Sequence, residues 1–168
     1  MIGYVYESLS NVAEEIYERQ DLGIFYTPTV EVDFMCRRSL VEYLNNHLNS
    51  PLSRGDRGVS LRGEGRFELP KEWIYRLLFD EDKKEVEDYI TKKNLWYPLE
   101  EVLDNLTVVD PACGSGAFLV GMLRVLVELY RLIYRHIQRE MTEFELKKKI
   151  IGNSLYWRGC HAPGCAFC

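Results

Sequence analysis

The sequence lacks an excess of basic charge, has only three histidines, and carries three of its five cysteines in the last nine residues. Each shortage narrows what the chain can be. Lys and Arg number 21 against 26 Asp and Glu, a formal net charge of -5, which excludes a small domain whose whole surface grips phosphate. A local basic face on an acidic protein stays open. No charged start followed by an apolar stretch resembles a secretory signal, so the chain is expected in the cytoplasm, with its cysteines as free thiols. There is also no uninterrupted apolar run. The most apolar stretch, 118–137, is about long enough to cross a bilayer. Arg124, Glu128, Arg131 and Arg135 break it along one helical stripe, with Leu119, Val120, Leu123, Val127, Leu132 and Tyr134 over much of the rest. That pattern predicts a helix packed on a sheet and wet on one side, and no membrane partner.

What is present is ordinary for a globular chain. With 46% hydrophobic and 28% charged residues over 168 positions, the sequence is one domain or a piece of a larger one. Val5, Leu9, Val12 and Ile16 have the spacing of an amphipathic helix over 4–19. A second helix is expected from Thr27, as cap, and Pro28, at the first helical position, to Asn49, burying Phe34, Val41, Leu44 and Leu48. Residues 49–67 read as a Gly/Ser/Arg/Pro-rich loop. Helix over 70–92 with a break near Asp80, and a short helix opened by Pro98, come next. Residues 106–109 form the expected strand, 110–116 a turn, and 118–137 the long helix. Thr142 with Glu145 is a capping box for a last helix ending near Ile151.

The chemistry is concentrated in Asp110-Pro111-Ala112-Cys113-Gly114-Ser115-Gly116-Ala117-Phe118, between strand and helix. A strand that ends on an acid and turns through two glycines lets backbone approach a ligand, and the helix beyond offers N–H groups. The carboxyl end of a strand is where open α/β sheets bind ligands. Phosphate readings fail on residue identity: no Gly-Lys-Ser/Thr follows, and Leu119 stands where the dinucleotide fingerprint needs a third glycine. An acid at the strand end suits a cationic ligand better.

This run resembles the S-adenosylmethionine motif of adenine-N6 DNA methyltransferases of restriction–modification systems, the large single-chain type II enzymes above all. Gly23-Ile24-Phe25-Tyr26-Thr27-Pro28 is similar to their upstream cofactor segment, and 150–156 to the approach to their second strand. The resemblance implies a class I, Rossmann-like methyltransferase fold, α/β in class, of which this chain holds helices (1–104) and the first βα unit (105–156) only. It implies that S-adenosyl-L-methionine is held by Tyr26, Thr27 and Pro28 with Asp110, Pro111, Ala112, Cys113, Gly114, Ser115, Gly116 and Phe118. The implied partners are DNA, whose flipped adenine takes the methyl group, and the rest of the methylase or restriction polypeptide. The family's catalytic Asn/Asp-Pro-Pro-Tyr/Phe is absent from these residues, so no catalytic residue is assigned and the chain is expected to be inactive alone.

After Tyr156 the family pattern continues Gly-Val-Asp, whereas this chain reads Trp157-Arg158-Gly159-Cys160-His161. Dropping the first base of the Trp codon yields triplets that permit Gly-Val-Asp. Residues 157–168 are therefore expected to be an aberrant tail, frameshifted and truncated. Two other readings compete: a non-catalytic accessory module, and a small metal-binding protein built on Cys160, His161, Cys165 and Cys168. Adjacent ligands without a second Cys-x-x-Cys make the latter a poor site, so no metal is assigned. Cys113 is expected to pack rather than attack, and Arg54, Arg57, Arg62 and Arg66 to lie in a solvated loop. The long helix has a wider apolar surface than a single strand covers, which predicts a molten character in isolation.

Overall fold

The computed structural model describes residues 27–49, 69–111 and 113–157. Within them the chain is mostly helical, with one small parallel sheet. The expected helix over 4–19, the expected loop over 49–67 apart from Asn49, and the tail beyond Trp157 lie outside the described residues.

Helix α1, Thr29–Asn49, begins where the Pro28 carbonyl accepts the Val32 N–H at 3.0 Å. Pro28 thus stands just before the helix rather than at its first position. Its buried face is Val32, Cys36, Leu40, Val41, Leu44 and Leu48. Phe34 was expected there and is instead 52% exposed. It sits two residues from both Val32 and Cys36, which turns it to the far side of a 3.6-residue helix. At the other end, the Asn49 side chain accepts from the Leu69 N–H at 3.0 Å and donates to its carbonyl at 2.6 Å, returning the chain to the helix.

Helix α2, Lys71–Phe79, and helix α3, Lys84–Lys92, are separated at Asp80, whose backbone is extended. Helix α4, Trp96–Asp104, carries Pro98 inside its first turn. There the absent N–H costs nothing. Strand β1 is Val108–Asp110, shifted toward the turn from the expected 106–109; Leu106 is buried ahead of it. Helix α5, Ala117–Ile137, and helix α6, Glu143–Asn153, follow. The capping box of α6 is complete: Thr142 Oγ1 accepts from the Glu145 N–H at 3.3 Å, and the Glu145 carboxylate accepts from the Thr142 N–H at 3.0 Å.

Strand β2, Leu155–Trp157, then pairs parallel to β1 in the register Val108↔Leu155, Val109↔Tyr156, Asp110↔Trp157. The chain therefore reaches one strand beyond a lone βα unit, and the boundary expected after Tyr156 falls inside β2. Buried Ser154 and Leu155 fix this course, with the Ser154 carbonyl accepting from the Val108 N–H at 2.7 Å.

The apolar face of α5 is covered mainly by helices. It packs chiefly on α1, then on α6 and α4, with β1 adding little. Met122, Val125, Leu126, Leu129, Tyr130 and Ile133 are buried there, so the wide face expected to go uncovered is not left bare. Arg124, Glu128, Arg131 and Arg135 lie on the wet side as the stripe requires, and Val120 is exposed beside them. Among the described residues no helix is long and apolar enough to cross a membrane.

Candidate cofactor-binding site

The turn between β1 and α5 is built by local conformation. Gly114 (φ 52°) and Gly116 (φ 78°) both occupy the left-handed region, where a side chain would cost energy. The Gly116 N–H donates to the Cys113 carbonyl at 2.8 Å, closing the turn, and the Gly116 carbonyl accepts the Val120 N–H at 2.9 Å, starting the helix. Gly116 is the N-cap of α5 and no side chain caps it. The first-turn N–H groups of such a helix have no acceptor within it, and they carry its positive end.

Around this turn Asp110, Cys113, Gly116, Ala117 and Phe118 are half-buried, while Pro111, Gly114 and Ser115 are exposed. Ala112 lies outside the described residues. Asp110 ends β1 opposite Trp157. The Cys113 thiol is pushed above the ordinary cysteine range, by desolvation first and the Asp110 charge second, against a lowering by the Gly116 backbone hydrogen bond. A raised thiol is a poor nucleophile, consistent with a packing side chain.

Of the upstream segment, Thr27 is half-buried and Pro28 exposed, while Tyr26 is outside the described residues. The helices that follow Pro28 and Gly116 meet at a crossing that the sequence pattern did not reveal. A Cβ placed on Gly121 would stand 2.5 Å from Val32 Cγ1 and 3.4 Å from Cys36 Sγ, so α1 and α5 touch backbone to side chain there. One turn away the Cys36 thiol donates to the Phe118 carbonyl at 3.6 Å. Burial, and then the charge of Asp33, push that thiol up to about 11 against the opposing effect of Arg37, so it stays protonated as the donor. The first turns of α1, which follow Thr27 and Pro28, thus cross the first turns of α5, which follow the glycine turn. The signal was available: a glycine inside an apolar helix costs about 1 kcal/mol against alanine and usually marks a close approach.

A second constellation lies elsewhere. Arg37 donates to Asp33 at 2.8 Å, to the Leu78 carbonyl at 2.6 Å and to Glu128 at 2.7 Å, and Lys83 reaches Glu128 at 3.2 Å. Burial alone would raise the Glu128 carboxyl, but the Arg37 hydrogen bond and then Lys83 overcome it and hold it below the usual range. These residues line an open groove of about 1350 Å³ along the charged stripe of α5, which none of residues 110–118 enters. Acids and bases are mixed along it in comparable number, so it favours no ligand of one sign. Another network braces the far end of α5. Tyr130 donates to Asp104 at 2.7 Å, Lys149 pairs with Asp104 at 2.6 Å, and Arg139 pairs with buried Glu100.

Among the described residues no cluster of His, Cys, Asp and Glu could hold a metal ion. The terminal Cys/His cluster and the four loop arginines lie outside them. No family model matches the chain, and no solved structure matches it. It is 27% identical over 160 residues to a Methanocaldococcus jannaschii protein provisionally named a type II restriction enzyme and methyltransferase. The match takes in 93% of this chain and 12% of that relative. The chain is thus similar, over nearly all its length, to a small part of a restriction–modification protein.

Proposed function

We propose that this chain supplies the S-adenosylmethionine-binding strand, turn and helix of a DNA adenine-N6 methyltransferase of restriction–modification type. The observation that carries the reading is the pair of left-handed glycines between the Asp110 strand end and an α5 N-terminus with no side-chain cap. The similarity to a protein named for restriction and methylation supports it.

The residues fit the cofactor by chemistry. Gly114 and Gly116 let a ligand approach main chain, first-turn N–H groups of α5 can donate to its carboxylate, and Asp110 supplies negative charge for its cationic part. When bound, the cofactor supplies an electrophilic methyl group. This chain's residues hold and orient it: Phe118 and Cys113 wall the turn, and the Gly121 crossing positions α1 against α5. The adenine amine is received by residues outside this chain, since no Asn/Asp-Pro-Pro-Tyr/Phe stands within it.

Calorimetric titration of S-adenosylmethionine into the protein and its variants tests the reading. Asp110→Ala is expected to weaken binding roughly ten- to a hundredfold, the worth of about 1.5–3 kcal/mol for a hydrogen bond to a charged group. Gly114→Val and Gly116→Val force β-branched side chains into left-handed backbone and should weaken binding at least as much. Wild-type affinity in both glycine variants would reject the assignment.

A further inference from the structure

We propose that an exposed aromatic face on α1 and α2 is the docking surface for residues 4–19 of the same chain, which seat on it as the amphipathic helix their spacing predicts.

Val30, Phe34 and Val41 follow one another along one stripe of α1, at spacings that return to the same side of a 3.6-residue helix. Val41 is buried, whereas Phe34 is 52% exposed and Val30 80%. Helix α2 ends against this stripe: its last residue, Phe79, meets Phe34 with ring centroids 5.7 Å apart. One turn back on α2, Tyr75 stacks on Phe79 at 4.3 Å and is itself 38% exposed. Tyr75, Phe79, Phe34 and Val30 therefore form one continuous apolar face across two helices. Scattered exposed hydrophobics need no partner, but a contiguous patch marks a contact surface.

The sequence supplies an occupant. Val5, Leu9, Val12 and Ile16 line one side of a helix over 4–19, and Glu7, Glu14 and Glu18 fall on the opposite side. Such a helix is about 24 Å long and marginal on its own, so it needs an apolar surface to lie on. Its attachment favours this one. The described residues begin at Thr27, just before Val30, so the preceding chain emerges at the near end of the face. Residues 20–26 can span up to about 23 Å, enough for the helix to turn back over Phe34 and Tyr75. A second copy fits worse. It competes from solution, whereas the short tether holds 4–19 at an effective concentration on the order of millimolar. Docking fixes residues 20–28 at both ends; that this also steadies Tyr26, Thr27 and Pro28 for a cofactor rests on the function proposed above.

Hydrogen exchange on the 168-residue protein, without cofactor, tests the proposal. The expected result is protection of the amides of 4–19, reduced at least about tenfold in the double variant Phe34→Lys, Tyr75→Lys. Both side chains are exposed, so the amides of α5 should keep their exchange rates and show that the fold survives. Leu9→Lys with Val12→Lys approaches the contact from the other side, alters no described residue, and should release the same amides. Lysine is a good helix former, so neither pair acts by breaking a helix. Combining the two pairs should add nothing further, as expected when each removes one shared contact. Free exchange of 4–19 in the unaltered protein, or protection indifferent to Phe34→Lys, Tyr75→Lys, would overturn the proposal. So would sedimentation showing a homodimer that the same lysines dissolve, since the occupant would then be a second copy. With no cofactor present, none of these outcomes depends on whether the glycine turn binds S-adenosylmethionine.

Discussion

Two glycines of one helix face opposite constraints. At Gly121 the limit is space: an added methyl meets Val32 Cγ1 at 2.5 Å. Overpacking of this kind costs about 1–3 kcal/mol, so Gly121→Ala should lower stability by that order in urea titration, and Val32→Ala in the same protein should recover part of it. At Gly116 there is room, since an added Cβ would find only Cys113 Sγ at 3.9 Å. The penalty there is the φ of 78°. Gly116→Ala should cost roughly 1 kcal/mol, and Gly116→Asn less, because asparagine tolerates the left-handed region. At Cys113 the raised thiol predicts slow alkylation by iodoacetamide near neutral pH and a mild Cys113→Ser phenotype. Intact cofactor binding with abolished turnover in Cys113→Ser, measured in a complete enzyme, would contradict the packing role.

Elements defined by local chemistry were legible. The capping box of α6, the break at Asp80 and the strand before Asp110 each depend on a few adjacent residues, and each lies within a residue or two of its expected place. Thr142→Ala should accordingly cost about 1 kcal/mol in thermal or urea unfolding. Less legible was what each face touches. Phe34 left the buried face because the stripe of α1 is set by the Gly121 crossing, a contact between residues far apart in sequence. The second strand was anticipated only through the likeness of 150–156 to the approach to one, for a similar reason: Leu155–Trp157 becomes a strand by pairing with β1. The bridge from Arg37 and Lys83 to Glu128 ties α1 and the α2–α3 connection to α5, and it too joins distant residues. The Glu128 carboxyl lies below its unfolded value, so its contribution is present above that value and is lost as pH falls through the folded one. Glu128→Gln should therefore flatten the acid limb of stability against pH below about 4.5, by well under about 1 kcal/mol for so exposed a pair. An unchanged acid limb would remove the bridge from the account.

At the scale of the molecule, the core is a helical assembly around α5, with a parallel pair of strands at its edge. The candidate site is the part that sequence reading reached most directly, because a glycine turn carries its conformation in its own residues. The charged groove was invisible to it, being lined by side chains from α1, α2, α3, α5 and α6 and the α2–α3 connection. Incubated alone with tritiated S-adenosylmethionine and genomic DNA, the chain should transfer no methyl group to adenine, since nothing in it matches the motif that receives the amine. Sustained incorporation above a no-enzyme blank would contradict that. The most direct test of the central claim is titration of S-adenosylmethionine into isotope-labelled protein, following backbone amide shifts residue by residue. The account predicts saturable shifts centred on Asp110 to Leu119 and the opening of α1, and their loss in Asp110→Ala. Shifts confined to the charged groove around Arg37 and Glu128, or none at the glycine turn at saturating cofactor, would contradict it.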